Sequence, residues 1–312
     1  MPYQPENHAP MHRRRSTPHG QEKQDTAVGD EAGHVGPEHS RKRLLCICVD
    51  DFGMHSGVDQ AVLHLVGMGR VQAVGCLVGG ASWQAGHSAL QSLDPAQVDI
   101  GLHLDFTEFP LQFPLPRSLG ALIAASLLRR LDARAVRAEI RRQLDAFEQA
   151  LGRPPAFIDG HQHVHQLPVI RQALMHELRQ RYSGTNLWLR STRTSATGLS
   201  AIKPWVIECL GSRSLLSMAQ KAGFGHNQRL LGVYDFQGGE LRYRHLMEGW
   251  LLSAKSADLL MTHPSLPLQN NDQLMAARVA EFQVLSSHQF GAMLSTAGIS
   301  LLPMSKILSS SL

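Results

Sequence analysis

The chain has 312 residues, 43% of them hydrophobic and 18% charged, with a formal net charge of +4. That length can bury a sizeable core in one large domain, and so small a charge leaves no basic stripe for a nucleic acid. No apolar run reaches the roughly 18 residues of a membrane span, so stable membrane insertion is not expected.

Residues 1–42 are rich in His, Pro, Gly, Gln and charge, a composition that predicts a disordered N-terminal extension. Its histidines (His8, His12, His19, His34, His39) have no ligand spacing, and acidic neighbours nearly balance Arg13-Arg14-Arg15 and Arg41-Lys42-Arg43. Polar sequence follows the first arginines, where a secretion signal would have an apolar segment. Cys46, Cys48, Cys76 and Cys209 lie in apolar contexts with no C-x-x-C pair. They read as buried free thiols of a reducing, cytoplasmic setting.

Leu44-Leu45-Cys46-Ile47-Cys48-Val49 is a continuous apolar run, which predicts a strand buried on both faces. It ends in Asp50-Asp51. Two adjacent desolvated carboxylates repel, so one must lose its charge or both must be held by a cation. Phe52-Gly53 permits a tight turn, and a helix is predicted over 57–68. A strand at 71–78, a helix at 82–93 and a strand at 98–104, ending in Gly101-Leu102-His103-Leu104, come next. Residues 105–131 carry Pro110, Pro114 and Pro116 and predict a long loop with a short helix, a place where substrate sites are shaped.

The clearest helix begins after Asp132, a predicted N-cap, with Val136, Ile140, Leu144, Phe147 and Leu151 as one apolar stripe. Gly152 and Pro154-Pro155 stop it. A short strand at 156–158 leads into Asp159-Gly160-His161-Gln162-His163-Val164-His165. Beyond it the pattern predicts a helix at 168–181, a strand at 186–190, and helical stretches at 200–222 and 242–254. A strand at 258–262 then runs into His263-Pro264, before a helix at 272–289 and a last strand at 299–302. This alternation predicts an α/β fold with a mostly parallel sheet, an irregular TIM-barrel-like (β/α) barrel in one domain over 43–312.

Four predicted strand ends carry polar groups: Asp50 with Asp51, His103, Asp159 with His161, and His263. Such ends are where parallel α/β proteins place their chemistry. The histidines at 161, 163 and 165 would share one face if the strand continued, although Gly160 points to a turn. Either way, imidazoles beside a carboxylate suit a borderline divalent metal. One Asp and two His leave coordination positions open, as catalytic sites require, and a neighbouring free carboxylate is a natural general base.

The motifs V-D-D-F-G, G-L-H-L, D-G-H-Q-H-V-H and T-H-P, in this order over residues 44 to 303, resemble the YdjC-like carbohydrate deacetylases. That family includes bacterial enzymes acting on N-acetylated chitooligosaccharides and relatives linked to hopanoid lipid synthesis. The resemblance implies an irregular (β/α) barrel, one divalent metal ion, hydrolysis of an N-acetyl group on a sugar substrate, and a homodimer. Carried over by motif, Asp51, His103 and His161 are the metal ligands and Asp50 is the water-activating base. His263 is the acid, or a stabiliser of the tetrahedral intermediate. Two imidazoles and one carboxylate suit zinc, cobalt or nickel, while family members are also seen with magnesium. Val49 stands where a small residue such as Ala is more usual, and residues 190–255 match no motif.

Two other readings compete. Phosphoesterases and amidohydrolases of other barrel families also carry His-x-His at a strand end, but on the first strand, which here ends in Asp-Asp. A non-catalytic metal-binding homologue would lack a base or an acid, whereas Asp50 and His263 are both present.

Overall fold

The computed structural model describes residues 42–114, 118–194, 207–269 and 271–310. The expected N-terminal extension, apart from Lys42, and the start of the helical stretch expected at 200–222 lie outside these residues. The strands in chain order are β1 (Arg43–Phe52), β2 (Ala73–Cys76), β3 (Asp99–Leu104), β4 (Phe157–Gly160), β5 (Trp188–Leu189), β6 (Gly225–His226), β7 (Leu230–Leu231), β8 (Asp258–Thr262) and β9 (Ile299–Leu301). They form one sheet ordered β6-β5-β4-β3-β2-β1-β8-β7, with β9 paired to β1. Every pairing is parallel. The helices are α1 (Ser56–Gly67), α2 (Trp83–Gln91), α3 (Leu119–Leu127), α4 (Ala133–Leu151), α5 (Ile170–Arg181), α6 (Ser212–Lys221), α7 (Gly239–Ser253), α8 (Met275–Ser286), α9 (His288–Thr296) and α10 (Met304–Ser309). The expected irregular (β/α) barrel is the observed architecture, and among the described residues no pairing joins β6 to β7.

The apolar run of β1 explains its central place. Side chains alternate across a strand, and Leu45, Ile47 and Val49 pack in the core shared with the helices, whereas Cys46 and Cys48 face the inner core. That inner core is filled by Phe157 and Trp188, stacked with ring centroids 4.3 Å apart, and by Leu259, Met261, Met304 and Ile307. Gly101 makes room for the stack, since a Cβ there would lie 2.3 Å from the Phe157 ring. Asp50 continues the inward set of Cys46 and Cys48, so the filled barrel becomes polar at the carboxyl ends of its strands.

Outside, α4 follows its sequence closely. Asp132 accepts a hydrogen bond from the Arg134 N–H at 2.8 Å, and Gly152 ends the helix at a φ of 65°. The stripe Val136, Ile140, Leu144, Phe147 and Leu151 is buried, worth about 1.5–3 kcal/mol for each such side chain.

Two expectations need correction, and two strands were not expected. The single helix expected at 272–289 is two, α8 and α9, because Ser287 leaves the helix and caps α9 by accepting from the Phe290 N–H at 3.2 Å. Strands β6 and β7 are two residues each, too short to leave a periodic signal. Cys46, Cys48 and Cys76 are buried free thiols as expected, but Cys209 is exposed, since its apolar neighbours in sequence do not enclose it.

Candidate active site

Successive residues of a strand point to opposite faces, so Asp50 and Asp51 should part company. They do not, because Asp51 takes a left-handed backbone (φ 72°) and the β1–β2 register shifts between Val49 and Phe52. The turn that follows is fixed by Asp59, which accepts from the Gly53 N–H at 2.7 Å. Gly53 itself has a φ of 95°, and a Cβ there would lie 2.7 Å from the Leu77 carbonyl oxygen. Strained backbone of this kind gathers at functional sites. Both carboxylates thereby face His103 on β3, whose Nε2 lies 3.4 Å from Asp51 Oδ1 and 3.8 Å from Asp50 Oδ2.

The Asp-Gly-His run does not continue as a strand. It forms a short 3₁₀ segment over 161–166 in which Gln162 and His163 are left-handed, so its histidines diverge. His161 places Nδ1 2.9 Å from Asp51 Oδ1. His165 turns away and donates from Nε2 to the Arg190 carbonyl at 3.1 Å, while His163 lines the cavity. Asp159 at the end of β4 accepts from His103 Nδ1 at 2.6 Å, which leaves Nε2 facing Asp51. The ligand atoms of Asp51, His103 and His161 all lie within 4.8 Å of one another, and all three residues are buried. Burial alone would pull His103 down, but Asp159 and Asp50 outweigh it and lift its pKa to about 9. Burial likewise works against the charged form of Asp51, yet Arg278, His161 and His103 hold it well below the usual carboxylate range.

A second acidic cluster, Cys48, Asp50 and Asp159, lies on the inner side. Arg190, fully buried just after β5, already spans it. Its Nη1 and Nη2 donate to Asp50 Oδ2 and Oδ1 at 2.6 and 2.5 Å. Nη2 also lies 2.5 Å from Asp159 Oδ2 and 3.0 Å from Cys48 Sγ. A guanidinium there leaves no place for another cation. Burial disfavours the charged form of Asp50, but Arg190, His103 and His263 together hold it far below its ordinary value, so Asp50 stays ionised.

His263, just after β8, faces the pair from the opposite side, with Nε2 3.8 Å from Asp50 Oδ2. Its backbone N–H donates to Glu281 Oε2 at 2.5 Å, and Glu281 Oε1 accepts from the Tyr234 hydroxyl at 2.8 Å. Phe236 packs against the His263 ring with centroids 5.3 Å apart. Arg278, three residues before Glu281 on α8, donates from Nη2 to Asp51 Oδ2 at 2.8 Å.

The structure therefore brings Asp50, Asp51, His103, His161 and His263 to one place. Arg190, Glu281 and Arg278 were not among the residues singled out in the sequence. Arg190 did carry a signal, for it stands at the end of the strand expected at 186–190, as the acids and histidines stand at the ends of theirs. Neither α8 residue carried one.

Asp50, Asp51, His103, His161, His263 and Arg278 floor a cavity of about 920 Å³. Its wall is apolar, built from Phe109, Leu119, Ile123, Ile207, Leu210 and Val233. The long loop expected at 105–131 does reach this wall through Phe109 and α3. Asp105 ties the loop down, its Oδ1 accepting from the Thr107 N–H at 2.8 Å and its Oδ2 from the Glu108 N–H at 3.0 Å.

Residues 44–296 match the sequence profile of a family described as YdjC-like protein. The chain belongs to that family. This YdjC-like chain is 26% identical over 254 residues to a human carbohydrate deacetylase, covering 73% of this chain and 77% of that one. It is 31% identical over 136 residues to a chitooligosaccharide deacetylase of Serratia marcescens, covering 41% of this chain and 53% of that one. Among solved structures, a protein of Enterococcus faecalis, proposed as a cellobiose-phosphate cleavage protein, superposes with a TM-score of 0.64 at 19% identity. That likeness covers 85% of this chain and 99% of the other, and it shows a shared fold.

Proposed function

We propose that this YdjC-like protein is a metal-dependent hydrolase that removes the N-acetyl group of an acetylated amino sugar, in an oligosaccharide or a glycolipid. One observation carries the reading: the ligand atoms of Asp51, His103 and His161 meet within 4.8 Å, with Asp50 and His263 beside them. The names of the human and Serratia relatives fit the same chemistry.

The donor set fits a divalent cation. One carboxylate and two imidazoles suit zinc, cobalt or nickel, with magnesium the hard-ion alternative. The Asp159 carboxylate behind His103 is the support that metal-binding imidazoles commonly have. Asp51, His103 and His161 would hold the ion, which supplies Lewis acidity to the acetyl carbonyl and lowers the pKa of a bound water. Asp50, kept ionised by Arg190, takes the proton from the attacking water. His263, on the other side of the pair, delivers a proton to the departing amine, with Glu281 holding its backbone and Phe236 its ring. The apolar wall receives the part of the substrate that does not react, and an apolar aglycone matches it well. Three buried free thiols accord with a cytoplasmic setting.

The test is acetate release from a panel of N-acetylglucosamine oligosaccharides and glycolipids. Chelated protein is re-supplied with zinc, magnesium, cobalt or nickel in turn. Metal-dependent acetate from any member supports the reading. Protein that binds the ion yet releases acetate from none would point to a different hydrolytic reaction.

A further inference from the structure

Arg278 is 2% exposed, and a guanidinium is buried at a cost unless its donors are matched. Here the group meets polar partners on three sides, Nε through an ion pair alone. Nη2 donates to Asp51 Oδ2 at 2.8 Å, Nε lies 2.7 Å from Asp272 Oδ2, and Nη1 lies 3.4 Å from the His263 carbonyl oxygen. The planar fork thus ties the end of β1 to the two segments that follow β8.

Its anchor is itself held. His55 Nδ1 accepts from the Val58 N–H at 3.3 Å as the cap of α1, which leaves Nε2 as the protonated nitrogen 3.3 Å from Asp272 Oδ2. Asp272 Oδ1 accepts from the Leu274 N–H at 2.8 Å, just ahead of α8. Asp51 lies at the end of β1 and His55 just before α1, Asp272 just before α8 and Arg278 on it, and the four side chains form one chain of contacts.

The two oxygens of Asp51 are consequently different. Oδ1 faces His161 Nδ1 at 2.9 Å and His103 Nε2 at 3.4 Å, whereas Oδ2 is taken by Arg278. We propose that Arg278, anchored by Asp272 and His55, is a positioning residue that occupies Oδ2 of Asp51 and leaves Oδ1 as the one oxygen offered between the two histidines. The assignment rests on the metal-site reading above. It has a distinctive consequence. A carboxylate shared with a guanidinium gives less charge to a cation, so the cation is held less tightly and stays more electrophilic. Arg278 sharpens the site at the expense of affinity, the reverse of what a mere structural strut would do. Lysine cannot replace it, because a point charge does not span Asp51 and Asp272 together.

The test compares the parent protein with Arg278→Met, Arg278→Lys and Asp272→Asn. It measures zinc affinity by equilibrium dialysis, the visible spectrum of the cobalt-loaded protein, and kcat and KM for acetate release. In Arg278→Met, zinc should bind at least as tightly as in the parent. The cobalt band should weaken and shift as Oδ2 joins the ion, and kcat should fall about tenfold or more while KM holds. Arg278→Lys should share most of these effects. Asp272→Asn keeps the guanidinium but loosens its anchor, so it should shift the cobalt band and lower kcat in the same direction by less. An unchanged cobalt spectrum and kcat in folded Arg278→Met would overturn the assignment. If that variant does not fold, the same result in Asp272→Asn would overturn it. A loss of zinc affinity in step with stability would show a strut and also overturn it. Parent protein that binds no divalent ion would instead overturn the metal-site reading, and this assignment with it.

Discussion

The rim of this barrel has two halves that differ in kind. The half built by β1, β3 and β4 carries Asp50, Asp51, His103, Asp159 and His161 in short runs at strand ends, and to most of these the proposed reaction assigns its chemistry. The half built by β5, β8 and α8 carries Arg190, His263, Arg278 and Glu281, mostly groups that hold the first set in place. The halves meet as buried charge pairs, Arg190 on Asp50 and Asp159, Arg278 on Asp51. Crowded carboxylates repel one another, and the second half of the chain supplies the counter-charges that hold the pKa values of Asp50 and Asp51 down.

This contrast can be broken from either side. The largest effect should come from the acting half: Asp51→Ala, His103→Ala or His161→Ala should each abolish both cation binding, read by dialysis, and acetate release. Folding of the metal-free chain, read by circular dichroism, should survive. Asp50→Asn should separate the two properties, keeping the cation while kcat drops by about 10²–10⁴. Retained turnover in that variant would remove Asp50 as the base.

On the holding half, Arg190→Met takes the guanidinium from Asp50 and Asp159 in a fully buried place, although Asp159 keeps His103. The expected loss is about 3–5 kcal/mol of stability, measured by urea denaturation. Adding Asp50→Asn to it should restore part of that loss, since an unpaired buried charge is what makes the single change costly.

A smaller effect belongs to His165, which shares its sequence run with His161 but turns away to donate to the Arg190 carbonyl. Burial pushes its pKa down to about 4, with Asp159 opposing. The unfolded chain takes a proton on this residue near pH 6.5, so between pH 6.5 and 4 the unfolded state binds more protons than the native state. Stability from this residue is complete above pH 6.5 and falls as pH drops through that window, by on the order of 3 kcal/mol. His165→Asn should flatten that part of the stability profile and leave cation binding intact. Lost cation binding would instead return His165 to the acting half.

Much of this was legible in the sequence for a local reason. The strand β1, the helix α4 with its cap and stop, and the polar strand ends are all written within a few residues, because backbone periodicity and capping are short-range properties. The fold class followed from their alternation, and the five singled-out residues all reach one site. The split between α8 and α9 was missed because one serine decides it, and β6 and β7 because two residues hold no period.

The sequence by itself determined that acids and imidazoles would gather at the ends of parallel strands, and through its motifs which family the chain belongs to. Tertiary structure alone decided that His161 turns to the site while His165 turns away, since two left-handed residues at 162 and 163 redirect the run. It also chose the counter-ions, Arg190 for Asp50 across 140 residues and Arg278 for Asp51 across 227. The cost of closing so long a loop grows only with the logarithm of its length. A buried carboxylate can therefore draw its partner from anywhere in the chain, and only the packed barrel shows which arginine is near enough to serve.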